Sequence, residues 1–174
     1  MTANALYPLL FSPVCKDFIW GGDRIFSTFN RPRTQAVCAE SWEIADRPEG
    51  MSVIRNGPLA GRTLRELVAA APEAVLGPRG LAQQLPGVRE PVFPLLIKLI
   101  DARERLSVQV HPDNASAARL GAEPKTEMWY ILGATPGASV FAGLVPGTAA
   151  APFEAALARN EIERQLVRIA VTPG

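Results

Sequence analysis

Residues 106–130 read LSVQVHPDNASAARLGAEPKTEMWY, from Leu106 to Tyr130, and their reading decides the fold. The stretch holds the chain's one histidine and most of the polar groups able to do chemistry. In Leu106-Ser107-Val108-Gln109-Val110-His111 apolar residues alternate with polar ones, the period of a strand with two different faces. Ser107, Gln109 and His111 then share one face, while Leu106, Val108 and Val110 turn towards a core. Pro112 lacks an N–H and stops the ladder. Asp113 is a good N-cap for a short helix over Asn114–Leu120, which Gly121 ends.

Beyond a Pro124-Lys125-Thr126 loop, the sequence predicts a second strand over Glu127–Leu132 with a carboxylate at its mouth. If the two strands are neighbours, Glu127 approaches His111 and Gln109. That would assemble an N/O ligand set suited to a borderline divalent metal such as zinc, with Lys125 on the same side. The plainer alternatives are a histidine satisfied at the surface or in the core and a solvated glutamate. The fifteen residues between His111 and Glu127 impose no helical geometry that would decide between them.

At these residues the sequence resembles a known family. Leu106-Ser107-Val108-Gln109-Val110-His111-Pro112-Asp113, followed by Lys125-Thr126-Glu127-Met128-Trp129-Tyr130, is similar to the type I mannose-6-phosphate isomerases, particularly their short bacterial branch. The resemblance starts at Phe18-Ile19-Trp20-Gly21-Gly22. It continues through Glu40-Ser41-Trp42-Glu43-Ile44, Asn56-Gly57-Pro58-Leu59-Ala60-Gly61 and Phe93-Pro94-Leu95-Leu96-Ile97-Lys98-Leu99-Ile100-Asp101, covering roughly Tyr7 to Ala142.

The resemblance implies a mainly β fold: a cupin-like jelly-roll barrel, here partial, with a small α-helical insertion at about residues 60–92 covering one end. It implies a zinc-dependent aldose–ketose isomerase, with one Zn2+ per chain, interconverting mannose 6-phosphate and fructose 6-phosphate. Carried over by position, Gln109, His111 and Glu127 match metal ligands. Ser107 and Lys125 match residues lining the sugar-phosphate site, Lys125 also as the catalytic group, and Trp20 falls near the substrate pocket. Family members also have a second His ligand and an active-site Arg further along the barrel, a region this sequence does not reach. The expectation is therefore a single domain, 1–174, truncated at its C-terminus. An alternative is a non-catalytic sugar- or metal-binding cupin module, and an open barrel edge would favour self-association.

Composition is consistent with one globular domain. At 174 residues and 48% hydrophobic the chain is long enough to bury about 70% of its unfolded surface without disulfides. Lys and Arg total 18 against 17 Asp and Glu, so a net charge of +1 gives no electrostatic case for nucleic acid or an anionic membrane as partner. The N-terminus lacks a signal-peptide pattern, and no apolar run reaches the ~20 residues needed to span a bilayer. Cys15 and Cys38 form no Cys-x-x-Cys pair, so free thiols in a reducing cytoplasm are the simplest account, with a disulfide still possible.

Elsewhere the patterns are local. Leu6–Phe11 reads as an edge strand interrupted by Pro8, and Gly21-Gly22 as a tight turn or close backbone approach. Val37–Ala45 reads as a strand with Glu40 and Trp42 on one face and Glu43 on the other. A solvated glutamate is the default there, and an interior one would be a functional candidate. Met51–Ile54 is a short strand before a hairpin signal at Asn56-Gly57, and Thr63-Leu64-Arg65-Glu66 a capping box opening a helix to about Ala71. Pro72–Gly77 reads as one further turn. Phe93–Ile100 reads as a buried strand whose Lys98 either snorkels or faces the pocket, joined by a charged turn to the His111 strand. Ser139–Ala142 and Val167–Val171 read as strands, Pro152–Leu157 and Glu161–Leu166 as helical.

Overall fold

Two units make up the chain, Met1–Leu106 and Ser107–Gly174, in a computed structural model that describes residues 6–84 and 90–174. In the first unit the short strands are β1 (Phe11–Ser12), β2 (Val14–Lys16), β3 (Glu40–Ile44), β4 (Asp46–Arg47), β5 (Gly50–Met51), β6 (Val53–Ile54) and β7 (Ile97–Ile100). They pair antiparallel as β1 with β6, β4 with β5, and β2-β3-β7 in a three-stranded sheet. Three helices accompany them, α1 (Arg24–Thr28), α2 (Leu64–Ala70) and α3 (Pro72–Ala82).

Alternation along β3 gives the three-stranded sheet two unlike faces. Cys15 stands opposite Ser41 and Ser41 opposite Leu99, and Cys15 and Leu99 pack on a core of Ile25, Phe26 and Cys38. On the other face Lys16 is opposite Glu40, and Trp42 is opposite Lys98. A bulge between Trp42 and Ile44 ends the regular register. Glu40 is buried rather than solvated, which overturns the default reading of that residue.

Cys15 and Cys38 are joined in a disulfide, their Cα atoms 5.4 Å apart, and are not the free thiols that the sequence suggests. A separation of 23 residues carries no motif, and the β2–β3 pairing that brings the two cysteines together is not local. Gly21 and Gly22 serve a close backbone approach: a Cβ on Gly21 would lie 2.1 Å from the Ala39 Cβ, and one on Gly22 2.3 Å from the Asp101 carboxylate. That carboxylate accepts from the Arg24 N–H at 2.7 Å and so ties the start of α1 to the end of β7.

Thr63 and Glu66 form the capping box reciprocally. The Glu66 N–H donates to the Thr63 hydroxyl at 3.1 Å and the Thr63 N–H to the Glu66 carboxylate at 2.7 Å. Leu64, Leu67 and Val68, one helical face of α2, are buried. The next turn does not stop at Gly77. That glycine takes a left-handed φ of 66°, Pro78 opens a second turn, and the kinked α3 runs on to Ala82. Both helices fall within the stretch of about 60–92 that the sequence reads as a helical insertion, of which residues 85–89 lie outside the described residues.

Three expectations in this unit are corrected. Asn56-Gly57 is not a two-residue hairpin turn: Gly57–Leu59 is a 3-10 turn in a longer loop, after which the chain reverses and Thr63 bridges antiparallel to Val53, while the Asn56 side chain accepts from the Leu10 N–H at 2.8 Å and donates to the Pro8 carbonyl. Only Ile97–Ile100 of the apolar run at 93–100 enters a sheet, and Leu95 is exposed. The charged residues after β7 do not close a hairpin with the His111 stretch; Ala102 instead bridges to Gly21.

The second unit contains α4 (Asn114–Leu120), β8 (Ser139–Leu144), α5 (Ala150–Ala158) and β9 (Leu166–Ala170), with β8 and β9 paired antiparallel. Local signals are realised in full at α4. The Ser116 N–H donates to the Asp113 carboxylate at 2.7 Å, and Gly121 is left-handed at φ 63°. The two strands expected to flank α4, over Leu106–His111 and Glu127–Leu132, are not strands among the described residues. Val108 and Val110 accordingly lie exposed instead of joining a core. A strand needs a ladder partner, and alternation alone does not supply one. The architecture is thus a set of small two- and three-stranded sheets with few helices. No helix among the described residues is long and apolar enough to cross a membrane.

Candidate functional site

Helix α4 is a short excursion that returns the chain to its own starting point. The Lys125 N–H donates to the Pro112 carbonyl at 3.1 Å, which lays residues 124–127 beside 109–112. Three side chains meet there. His111 Nε2 lies 3.2 Å from Glu127 Oε2, Lys125 Nζ lies 2.7 Å from Glu127 Oε1, and Lys125 Nζ lies 3.1 Å from His111 Nε2. Each remains partly open to solvent. Alongside, the Gln109 amide donates to the Ser107 hydroxyl at 3.0 Å, so these two do share a side as their spacing predicts.

One nitrogen, His111 Nε2, faces both a cationic donor and a carboxylate. It accepts from Lys125 only when bare and donates to Glu127 only when protonated, so no single protonation state satisfies both. A cation held between them would remove the conflict, since both the bare nitrogen and the carboxylate would point at it. Two donors each about 2.1 Å from a tetrahedral ion stand about 3.4 Å apart, close to the spacing found here. Among the described residues no group of three or more His, Cys, Asp and Glu side chains gathers at metal-binding spacing. The chain therefore offers two strong donors, and the Gln109 carboxamide, bonded to Ser107, is the third candidate that the sequence named.

Asp113 steadies the same corner. The Ser116 hydroxyl, then the Ser116 N–H, hold its carboxyl below the usual carboxylate range, so it stays ionised as the cap of α4. A depression of about 250 Å³ lined by Pro112, Asp113, Asn114, Pro124, Lys125 and Thr126 opens next to the cluster. A larger hollow of about 640 Å³, between the 134–139 turn and residues 168–173, contains none of the site residues expected from the sequence.

The sequence matches the catalytic domain of phosphomannose isomerase type I over residues 9–133. The chain belongs to the type I phosphomannose isomerases. It is 35% identical over 170 residues to the probable mannose-6-phosphate isomerase GmuF of Bacillus subtilis, covering 97% of this chain and 50% of that protein. It is 39% identical over 137 residues to the mannose-6-phosphate isomerase of Streptococcus mutans, covering 78% and 40% respectively. The crystal structure of a mannose 6-phosphate isomerase from Bacillus subtilis superposes with a TM-score of 0.81 at 34% identity, over 96% of this chain and 50% of that one. The chain thus spans about half the length of the relatives it matches.

Of the residues that the phosphomannose isomerase resemblance singles out, the second unit brings His111, Lys125 and Glu127 together, with Ser107 and Gln109 as an adjoining pair. Trp20 belongs to the first unit, where its ring stacks on Phe18 with centroids 5.5 Å apart. The first unit also carries a polar cluster that the sequence signalled only through its charges. Lys98 does not snorkel to solvent, because its ammonium ends 2.9 Å from a Glu40 carboxylate oxygen. The Trp42 indole donates to the other oxygen at 2.7 Å, and Lys16 lies over the Trp42 ring, 4.7 Å from its centroid.

Proposed function

We propose that this chain supplies the ligand-bearing half of a mannose-6-phosphate isomerase, interconverting mannose 6-phosphate and fructose 6-phosphate at a zinc site on His111, Glu127 and Gln109. We further infer that its small sheets are parts of a cupin-like barrel, with the 60–92 helices at one end. The observation that carries the reading is the convergence of His111 Nε2, the Glu127 carboxylate and the Lys125 ammonium on one point. Membership of the isomerase family supports it.

The reaction moves a proton from C2 to C1 and the carbonyl from C1 to C2, with no net change in atoms or electrons. Negative charge develops on the two sugar oxygens on the way. When bound, the metal supplies Lewis-acid stabilisation of that charge. The chain's own groups do the rest. His111, with Nε2 bare, and ionised Glu127 would hold the cation, and the Gln109 carboxamide oxygen would be the third donor, its amide N–H being the group that bonds Ser107. Lys125, freed from Glu127, donates to a sugar oxygen and is placed to assist the proton transfer. The Ser107 hydroxyl, which accepts from the Gln109 amide and keeps its own O–H to donate, would be a neutral hydrogen-bonding group for the sugar.

Zinc content and coupled mannose 6-phosphate turnover of this chain, beside Glu127→Gln and His111→Ala, test the reading. Both substitutions are expected to remove the zinc while the far-UV circular dichroism stays unchanged. Stoichiometric zinc that survives both would overturn the site, and a zinc-free parent chain would do the same.

A further inference from the structure

The cystine of the first unit is unequal at its two ends. Cys38 is 0% exposed and belongs to the core with Ile25 and Phe26, whereas Cys15 is only partly buried and packs against that core. Cys15 lies on β2, a three-residue strand at the edge of the β2-β3-β7 sheet. A strand with a ladder on one side opens locally at lower cost than one held on both. A thiolate must reach a disulfide sulfur to attack it, so access selects the Cys15 sulfur.

The fold also accommodates the opened bond. The Glu40 carbonyl oxygen lies 3.5 Å from Cys38 Sγ, which gives a thiol at that position an acceptor for its S–H. Backbone bonds hold the enclosed segment independently of the sulfurs. The Ala39 N–H donates to the Lys16 carbonyl at 2.8 Å, the Cys38 N–H to the Gly22 carbonyl at 2.9 Å and the Gly22 N–H to the Asp101 carbonyl at 3.0 Å. Two unbonded sulfurs cannot remain at covalent distance, so on reduction they move apart and the small core around Ile25 and Phe26 has to yield.

We propose that Cys15–Cys38 is a reversible thiol-exchange site, with Cys15 the sulfur that takes up a low-molecular-weight thiol and Cys38 the sulfur that leaves. An incoming thiolate bonds to Cys15 Sγ as the bond to Cys38 breaks, and the electron pair departs on Cys38, which then takes up a proton. A second thiolate attacks the added sulfur, frees Cys15 and carries the adduct away as a small-molecule disulfide. The cystine thereby gains two electrons and two protons, and two small thiols lose them. In the open form α1 is held less firmly, because its Ile25 and Phe26 pack on the separated sulfurs. None of the proposed metal ligands takes part.

The test incubates the folded chain, purified without reductant, with glutathione near neutral pH, then quenches with acid and alkylates. Peptide mass mapping should find glutathione on Cys15 and the alkyl group on Cys38, and glutathione disulfide should close the bond again. Trypsin should cut after Arg24, ahead of the buried Ile25, at least tenfold faster in the reduced chain. With glutathione disulfide, folded Cys38→Ser should gain its adduct at Cys15 at least tenfold faster than Cys15→Ser gains one at Cys38, and urea should abolish the difference. The mapping on the parent chain decides the matter even where a variant does not fold. A bond inert to glutathione, adducts shared equally between the two sulfurs as in an unfolded chain, adducts on Cys38, or an unchanged cut after Arg24 would each overturn the proposal.

Discussion

The ammonium of Lys98 lies 2.9 Å from a carboxylate oxygen of Glu40, reaching diagonally across the β3–β7 pair, with the two side chains 22% and 8% exposed. Trp42, directly opposite Lys98, holds the second oxygen of the same carboxylate. Removing one partner of such a pair leaves a charge in low dielectric without its counterion. Lys98→Met should therefore destabilise the first unit by about 2–3 kcal/mol, a little under the range for fully buried pairs because Trp42 keeps one bond to Glu40. Urea unfolding followed by Trp fluorescence measures it. A double-mutant cycle with Glu40→Gln should recover at least ~1 kcal/mol of coupling between the two positions, and additive effects would show that the pair does not stabilise.

The disulfide between Cys15 and Cys38 closes a loop with a sequence separation of 23. Constraining a loop of that size in the unfolded chain is worth about 3 kcal/mol. Cys15→Ser, or reduction, should lower stability by about that amount, since both sulfurs sit at the core of Ile25 and Phe26. Thiol titration of the denatured protein checks the premise directly: no free thiol before reductant and two after it. With the bond present, the free-thiol argument for a reducing compartment falls away.

What the sequence made legible was local. The capping box at Thr63 and Glu66, and the Asp113 cap and Gly121 end of α4, are each fixed by residues within one or two turns, and each appears as expected. Alternation in 106–111 correctly put Ser107 and Gln109 on one side, but whether a strand forms depends on a partner elsewhere in the fold, and none pairs there among the described residues. The contact of Glu40 with Lys98 and the joining of Cys15 to Cys38 depend on the β2-β3-β7 register, a long-range property that neither spacing nor composition encodes. The cluster of His111, Lys125 and Glu127 was legible through the family resemblance. Its closure through the Lys125-to-Pro112 backbone bond is a structural finding.

The capping box also gives a pH signature. The Thr63 N–H, then the Thr63 hydroxyl, hold the Glu66 carboxyl below its ordinary value of 4.5. A carboxyl lowered in the folded state contributes stability that is complete above its unfolded value and is lost as pH falls through the folded one. Parent and Glu66→Gln, whose amide oxygen can still accept the Thr63 N–H, should therefore differ most near neutral pH and converge as pH drops below about 4.5. Thermal melts across pH 3–7 read the difference, and a gap that widens on acidification would contradict the cap as its source.

Lys125 and Glu127 touch at 2.7 Å, yet the proposed site gives them opposite duties towards a cation. Glu127 attracts one, while the Lys125 ammonium competes with it for the same carboxylate and for His111 Nε2. Lys125→Met should accordingly bind zinc at least as tightly as the parent, about two- to tenfold tighter for loss of a repulsion of roughly 0.5–1.4 kcal/mol between charges partly open to solvent. Its coupled turnover of mannose 6-phosphate should nonetheless fall by about 100-fold or more relative to the parent, the range for loss of a general acid–base group. Glu127→Gln should lose both. Titration with a zinc-sensitive dye in parallel with the turnover assay separates the two residues. If Lys125→Met loses zinc as Glu127→Gln does, the lysine supports the metal site instead of acting on the sugar.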